Sequence, residues 1–272
     1  MEAHMTKNQL ITFKKMIEII KDLTNTGMNF LCTKSGIEIS WLNLIGMASF
    51  DLSKRFFKYY SISKEEEVII LHVHLEEFYK ILKNSVKISN WETMQIKLKN
   101  PSSNIVLFKL LEAKAIFQMK LMNIEGQSIV NGRDPDIEKD FDYRVKLPAN
   151  DLTNVCDIIK EYNTPIRITA YKNRMNFESI ENNFSNILMK KKIINCSDED
   201  FKRCADENII TQQSFCCEYL KKFSQMSSLS QDVFICFSSK HDIKTSPILL
   251  LYSCPDKNFI VKFLLASKIE NE

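Results

Sequence analysis

The stretch Leu10-Ile11-Thr12-Phe13-Lys14-Lys15-Met16-Ile17-Glu18-Ile19-Ile20-Lys21-Asp22-Leu23 runs on to Asn25-Thr26-Gly27-Met28 and then to Lys34-Ser35-Gly36-Ile37. Leu10, Phe13, Ile17 and Ile20 recur at helical spacing with Lys14, Glu18 and Lys21 opposite, which predicts an amphipathic helix. The tetrapeptide after it returns 138 residues later (25 to 163) as Asn163-Thr164-Pro165-Ile166. At the same offset Lys34-Ser35-Gly36-Ile37 faces Lys172-Asn173-Arg174-Met175. A second amphipathic segment, Asn150–Tyr162, precedes that echo with Leu152, Val155, Ile158 and Ile159 inward and Asn154, Asp157 and Glu161 outward. Helix, strand, turn and strand in matching register predict a duplicated domain.

Between the two copies lies Asn123–Asp142, which holds Glu125, Asp134, Asp136, Glu138, Asp140 and Asp142 against Arg133 and Lys139. Its local charge of −4 sits in a chain of net +3, so the remainder carries +7 (+3 less −4). With Gly126, Gly132 and Pro135 and no apolar period, it reads as an exposed connector. The predicted division is 5–122, a first domain; 123–142, the connector; and 143–272, a second domain. Met1–His4, ahead of a second methionine at Met5, reads as a cloning scar outside the fold.

Period-2 alternation marks strands at Ile37, Ile39 and Trp41, at Met94, Ile96 and Leu98, and at Phe117, Met119 and Leu121. Val233–Ser238, Pro247–Cys254 and Phe259–Leu265 read as strands too. Two more helices are predicted. Leu75–Lys83 turns Leu75, Phe78 and Leu82 inward, and Thr211–Met226 aligns Phe215, Tyr219, Phe223 and Met226. The class is α+β, in two similar halves.

Composition removes several functions. Hydrophobic residues make up 44% and charged ones 26%, a globular balance with enough apolar mass for a core. No apolar run reaches the length of a membrane helix, so no membrane association is expected. The eight cysteines contain no C-x-x-C spacing, and they read as reduced core residues of an intracellular protein, with Cys196 and Cys204 able to bridge only in an oxidising compartment. The five glycines form no phosphate-cradling loop. His72-Val73-His74 puts two imidazoles on one strand face but has no third ligand nearby, and Asp134-x-Asp136 fits a solvated acidic loop better than a cation site. Cys156 on the third helix reads as a buried thiol rather than a nucleophile. No metal, no cofactor and no enzyme activity are expected.

Five segments in order resemble one family. They are Phe13–Leu23; Lys80-Ile81-Leu82-Lys83; Met119-Lys120-Leu121-Met122; Val145-Lys146-Leu147-Pro148; and the closing Leu265-Ala266-Ser267-Lys268-Ile269-Glu270. Together they are similar to the proliferating cell nuclear antigen family of eukaryotic DNA sliding clamps, from about Ile11 to the end. The resemblance implies the DNA-clamp fold: two helices against antiparallel sheets in each domain, with three chains closing into a ring around duplex DNA. It also implies a processivity factor acting in DNA replication and repair in the nucleus, or in an intracellular replication compartment if viral. Subunit rims would involve Ala115–Lys120 of one chain and Phe184–Met189 of the next.

By the same resemblance, Lys14, Lys15, Lys21, Lys80 and Lys83 face DNA, bound without sequence preference. In the second domain Asn154, Asp157, Glu218 and Gln225 stand where the family carries cations, leaving Lys221 and Lys222 as local replacements. A partner-peptide pocket is implied at Leu42, Met47, Ile129, Val130, Pro247, Leu264, Ala266 and Ser267, serving DNA polymerase, clamp loader, ligase and nuclease peptides. Two departures bear on that pocket: Asn43-Leu44-Ile45-Gly46-Met47 replaces a polar stretch, and Ser267 replaces a proline. The residues leave open a checkpoint-type clamp subunit of a heterotrimeric ring, a hydrolase using Cys156 or His72 and His74, and a β-rich scaffold without DNA.

Overall fold

In a computed structural model of the chain, the residues described are 1–24, 27–42, 44–63, 67–98, 103–122, 140–141, 143–160, 165–171, 174–179, 194–195, 211–238, 246–254, 256 and 258–268. The chain forms two compact units. The first comprises Met1–Leu42, Ala48–Gly132 and Cys254–Val261; the second comprises Asn43–Met47, Arg133–Ser253 and Lys262–Glu272.

The first unit contains β1 (Glu2–Thr6), α1 (Lys7–Leu23), β2 (Gly27–Thr33), β3 (Gly36–Leu42), β4 (Gly46–Ser53), β5 (Tyr59–Ser61), β6 (Val68–His74), α2 (Leu75–Lys87), β7 (Thr93–Leu98), β8 (Ile105–Leu110) and β9 (Ala115–Lys120). One sheet runs in the order β5-β1-β7-β8-β9, and β4-β3-β2-β6 lie in order in another. Both helices bury their apolar stripes among phenylalanines. The Phe13 ring of α1 meets Phe78 of α2 at 5.7 Å and Phe30 of β2 at 6.5 Å, and Phe78 meets Phe30 at 5.3 Å and Phe108 of β8 at 5.7 Å. Most are edge-on, the arrangement the ring quadrupole favours.

Met1–His4 is not a scar. Strand β1 pairs with β5 and with β7, Ala3 and Met5 are fully buried, and Thr6 caps α1. The Thr6 hydroxyl accepts from the Gln9 amide at 3.3 Å while the Gln9 side chain accepts from the Thr6 amide at 2.8 Å, a reciprocal capping box that satisfies two otherwise orphaned donors. The predicted alternation in β3 also drifts. Ile37 and Ile39 are buried as expected, but Glu38 is buried with them and Trp41 is half-exposed.

The second unit contains β10 (Tyr143–Pro148), α3 (Ala149–Lys160), β11 (Ile166–Ala170), β12 (Arg174–Ser179), β13 (Ile194–Asn195), β14 (Thr211–Phe215), α4 (Cys217–Ser224), β15 (Asp232–Phe237), β16 (Ile248–Ser253) and β17 (Phe259–Leu265). One sheet has the order β13-β12-β11-β14, and β10-β15-β16-β17 lie in order in another. Phe223 of α4 stacks on Phe263 at 4.2 Å, and Tyr252 meets Phe263 edge-on at 6.0 Å.

Two expectations change here. Thr211–Met226 is not one helix. Its first five residues pair along β11, from Ile166 opposite Phe215 to Ala170 opposite Thr211, and α4 starts only at Cys217. Phe215 keeps its place in the core from a strand end, so a helical spacing of aromatics masked a change of element. Phe141, inside the predicted exposed connector, is buried against Cys236, Leu249 and Leu251. The other connector residues, apart from Asp140, lie outside the described residues, as do Cys196 and Cys204.

The duplication survives residue by residue. Cys32 pairs with Ile37 and Leu31 with Glu38 in β2–β3; Ala170 pairs with Met175 and Thr169 with Asn176 in β11–β12. Each member of the second set stands 138 positions after its counterpart (32 to 170, 37 to 175).

Candidate nucleic-acid interface

Helices α1 and α2 pack against each other. On the face left open, lysines are interleaved with acids. Lys14 reaches Glu18 at 3.4 Å, one turn along α1. Lys21 of α1 reaches Glu76 of α2 at 3.4 Å, and the other oxygen of Glu76 meets Lys80 at 3.6 Å, so this carboxylate bridges the helices. Tyr79 sits among them. Its ring centroid lies 5.1 Å from the Lys21 Nζ, 5.6 Å from that of Lys14 and 6.0 Å from that of Lys83, within the range of a cation–π attraction. Lys80 and Lys83 are exposed, while Lys14, Lys15 and Lys21 are half-buried. The five lysines predicted in the first domain therefore lie on two packed helices, four of them joined through Tyr79, Glu18 and Glu76.

The ionisation of this face follows from those contacts. Burial raises the Glu18 carboxyl, but the Tyr79 hydroxyl, donating at 2.6 Å, and the Lys14 charge outweigh it and bring it below its ordinary value. The same bond to Glu18, helped by burial, pushes the Tyr79 phenol up to about 12. Desolvation raises Glu76, and Lys21 and Lys80 together outweigh it, so it too falls below the ordinary carboxylate value. Both acids stay charged at neutral pH.

The second unit carries the same device with altered residues. Leu75, Phe78 and Leu82 are buried in α2, and Cys217, Leu220 and Ser224 are buried in α4; this register sets Glu76, Tyr79 and Lys80 over Glu218, Lys221 and Lys222. Phe13, Met16, Ile17 and Ile20 in α1 likewise match the buried Leu152, Val155, Cys156 and Ile159 in α3, which sets Glu18 over Asp157. Where the first unit joins Tyr79 to Glu18, the second closes the Lys221 ammonium onto Asp157. Where Lys80 pairs with Glu76, Lys222 pairs with Glu218 at 2.8 Å, with its Nζ 5.3 Å from the Tyr219 ring. Lys221 is only 17% exposed, so the predicted replacement cations are both committed to neighbouring acids.

The pocket residues divide. In the second unit the loop around Gly46 lies on the segment after β17. Ala266 donates its amide to the Ile45 carbonyl at 2.9 Å, and a Cβ on Gly46 would run into the Leu264 carbonyl. Leu264 packs on the Phe141 cluster, Met47 is buried, Pro247 and Ser267 are half-buried and Ala266 is exposed. Leu44 is fully exposed and Ile45 is 37% exposed, an apolar loop tip beside them. Leu42 ends β3 in the first unit and is 54% exposed. Ile129 and Val130 lie outside the described residues, as does Phe184–Met189. Strand β9 is the last strand of its sheet, and Ile116 on it is 58% exposed.

The side chains considered for catalysis have structural partners. His72 meets Asn29 at 2.6 Å, and His74 accepts from the Glu77 amide at the start of α2. Burial pushes the Cys156 thiol up, away from thiolate chemistry. Among the described residues no group of three or more His, Cys, Asp or Glu could hold a metal, and no helix is long and apolar enough to cross a membrane.

Comparison with known proteins bears on the whole chain. Residues 1–128 match the model of the proliferating cell nuclear antigen N-terminal domain, and residues 136–268 match that of its C-terminal domain. Proliferating cell nuclear antigen 1 of Plasmodium falciparum is 27% identical over 97% of this chain and 96% of its own length. Proliferating cell nuclear antigen of Dictyostelium discoideum is 25% identical over 99% of both. The crystal structure of the Entamoeba histolytica protein of that name has a TM-score of 0.73 at 19% identity, covering 98% of each chain, and so shares the fold. With both halves matched in order, the chain belongs to the proliferating cell nuclear antigen family of DNA sliding clamps.

Proposed function

We propose that three copies of this chain close into a ring around duplex DNA and act there, in the nucleus, as a non-enzymatic tether for DNA polymerase and other replication and repair proteins. The observation that carries this reading is the lysine-bearing face of α1 and α2, in which each ion pair is long enough to exchange. Contacts of 3.4–3.6 Å between Lys14, Lys21 or Lys80 and a carboxylate are weak when solvated. A phosphate passing the face can take over such a lysine and release it at little net cost. Binding is then independent of sequence and weakened by salt, which suits sliding; the closed ring provides retention.

The edge strand β9 supports closure. Among the described residues β9 is an edge strand, paired on one side by β8; such an edge with an exposed Ile116 invites a partner strand, and a cyclic assembly removes such edges. Partner peptides delivered by a clamp loader, a ligase or a nuclease would anchor apolar side chains near Leu44, Ile45, Leu264 and Ala266, with Met47, Pro247 and Ser267 of the same unit. The test joins mass in solution to topology. A trimeric mass, with retention on closed-circular DNA that vanishes when the circle is cut, supports the ring. A monomer that requires different chains for retention supports the heterotrimeric alternative, and equal retention on both DNA forms removes encirclement.

A further inference from the structure

Three lysine ammonium groups converge on one aromatic ring, and they come from two helices: Lys14 and Lys21 from α1, Lys83 from α2. That ring, Tyr79, is only 9% exposed, so it is too enclosed to stack on a base or meet a ligand directly. Its hydroxyl spends its one proton on Glu18 Oε1 at 2.6 Å, which leaves the other oxygen of that acid to Lys14 at the longer distance of 3.4 Å. A lysine held over a ring face keeps its N–H groups available for an oxygen acceptor, whereas one closed onto a carboxylate does not. The matching place in the second unit shows the difference: there Lys221 meets Asp157 directly, with no ring between.

We propose that Tyr79 is a positioning residue for DNA backbone phosphate. Its ring gathers Lys14, Lys21 and Lys83 into one pre-ordered cationic patch. The proposal rests on the DNA reading above. Lysine loses much rotamer freedom when it docks on phosphate, and a side chain already held over a ring loses less. The patch is therefore confined to the first unit, and its strength depends on an uncharged residue that no count of basic side chains would find.

The experiment uses the full chain and two readouts. Proton spectra of the lysine ε-methylenes report ring-current displacement, and anisotropy of a fluorescent 30-base-pair duplex at several salt concentrations reports binding. Wild-type Lys14, Lys21 and Lys83 should be displaced relative to Lys80. Tyr79→Phe should keep both the displacement and the affinity within about twofold, whereas Tyr79→Met should abolish the displacement and bind about three- to tenfold more weakly at low salt. Tyr79→Met binding as tightly as wild type, or Tyr79→Phe losing as much as Tyr79→Met, overturns the proposal. So does a wild-type spectrum without displaced lysines, a result that needs no variant to fold. Displaced lysines in a wild-type chain with no salt-sensitive duplex affinity overturn the DNA reading itself.

Discussion

Lys221 and Asp157 close onto each other at the positions where the first unit joins Tyr79 to Glu18. The duplicated helix pair therefore keeps its geometry while its electrostatics diverge. Asp157 takes the place that a phosphate would occupy against Lys221. Replacing it with Asn should free the lysine, and low-salt affinity for a duplex should rise about two- to threefold, the scale of one surface ion pair. Anisotropy titration checks this, and a fall in affinity would show that Asp157 holds the helix in place rather than masking a charge.

The same asymmetry fixes which lysines matter most. Lys80 is 65% exposed in a 3.6 Å pair, whereas Lys221 is 17% exposed and closed on its partner. Lys80→Gln should lower the slope of log affinity against log salt by about one, because one fewer counterion is released. Lys221→Gln should leave the slope unchanged. Charge reversal of Lys14 and Lys80 should likewise reduce retention on closed-circular DNA more than reversal of Lys221.

Acid stability has an address on β1, outside that set of lysines. Glu2 accepts from Lys97 at 2.9 Å, from His4 at 2.8 Å and from Gln95 at 2.6 Å. The Lys97 bond, followed by that from His4, brings its carboxyl down to about 2. A lowered folded-state value contributes stability that is fully present above the ordinary 4.5 and is lost as pH falls toward 2. With solvent screening of a part-exposed cluster the loss should be about 1–2 kcal/mol. Chemical unfolding of Glu2→Gln between pH 5 and pH 2 should therefore show a flatter acid limb than wild type.

How far these features could be read in advance depended on where the physics is local. The duplication was legible because a hairpin turn and the helix before it are specified within a few residues, and the pairing of Cys32 with Ile37 and of Ala170 with Met175 keeps that register. The lysines of α1 and α2 were legible as an outward helical face. Tyr79 was not, since helical spacing says which side a residue lies on and nothing about the cations arriving from another helix. Strand β14 was lost because Thr211-Gln212-Gln213 has no apolar alternation and takes its conformation from pairing with β11. The capping box at Thr6 and Gln9 stands in the sequence as T-x-x-Q just ahead of the apolar stripe of α1.

The hairpin that marks the duplication also has a point of no tolerance. Gly36 adopts φ +150°, and a Cβ there would run into the Leu52 carbonyl oxygen, with the Lys54 amide nitrogen 3.0 Å away on the same side. These obstacles are backbone, and the Gly36 carbonyl in turn accepts from the Tyr60 hydroxyl at 2.9 Å, so the turn is held from both sides. Gly36→Ala should therefore cost on the order of 3 kcal/mol or more, beyond the usual penalty for a surface change. Ser35→Ala, one residue earlier and exposed, should cost well under half of that, since it removes only the 2.7 Å bond to Thr33. Denaturant midpoints of the two variants decide the matter: equal losses would mean that the turn's hydrogen bonds, rather than the steric demand at residue 36, hold this hairpin.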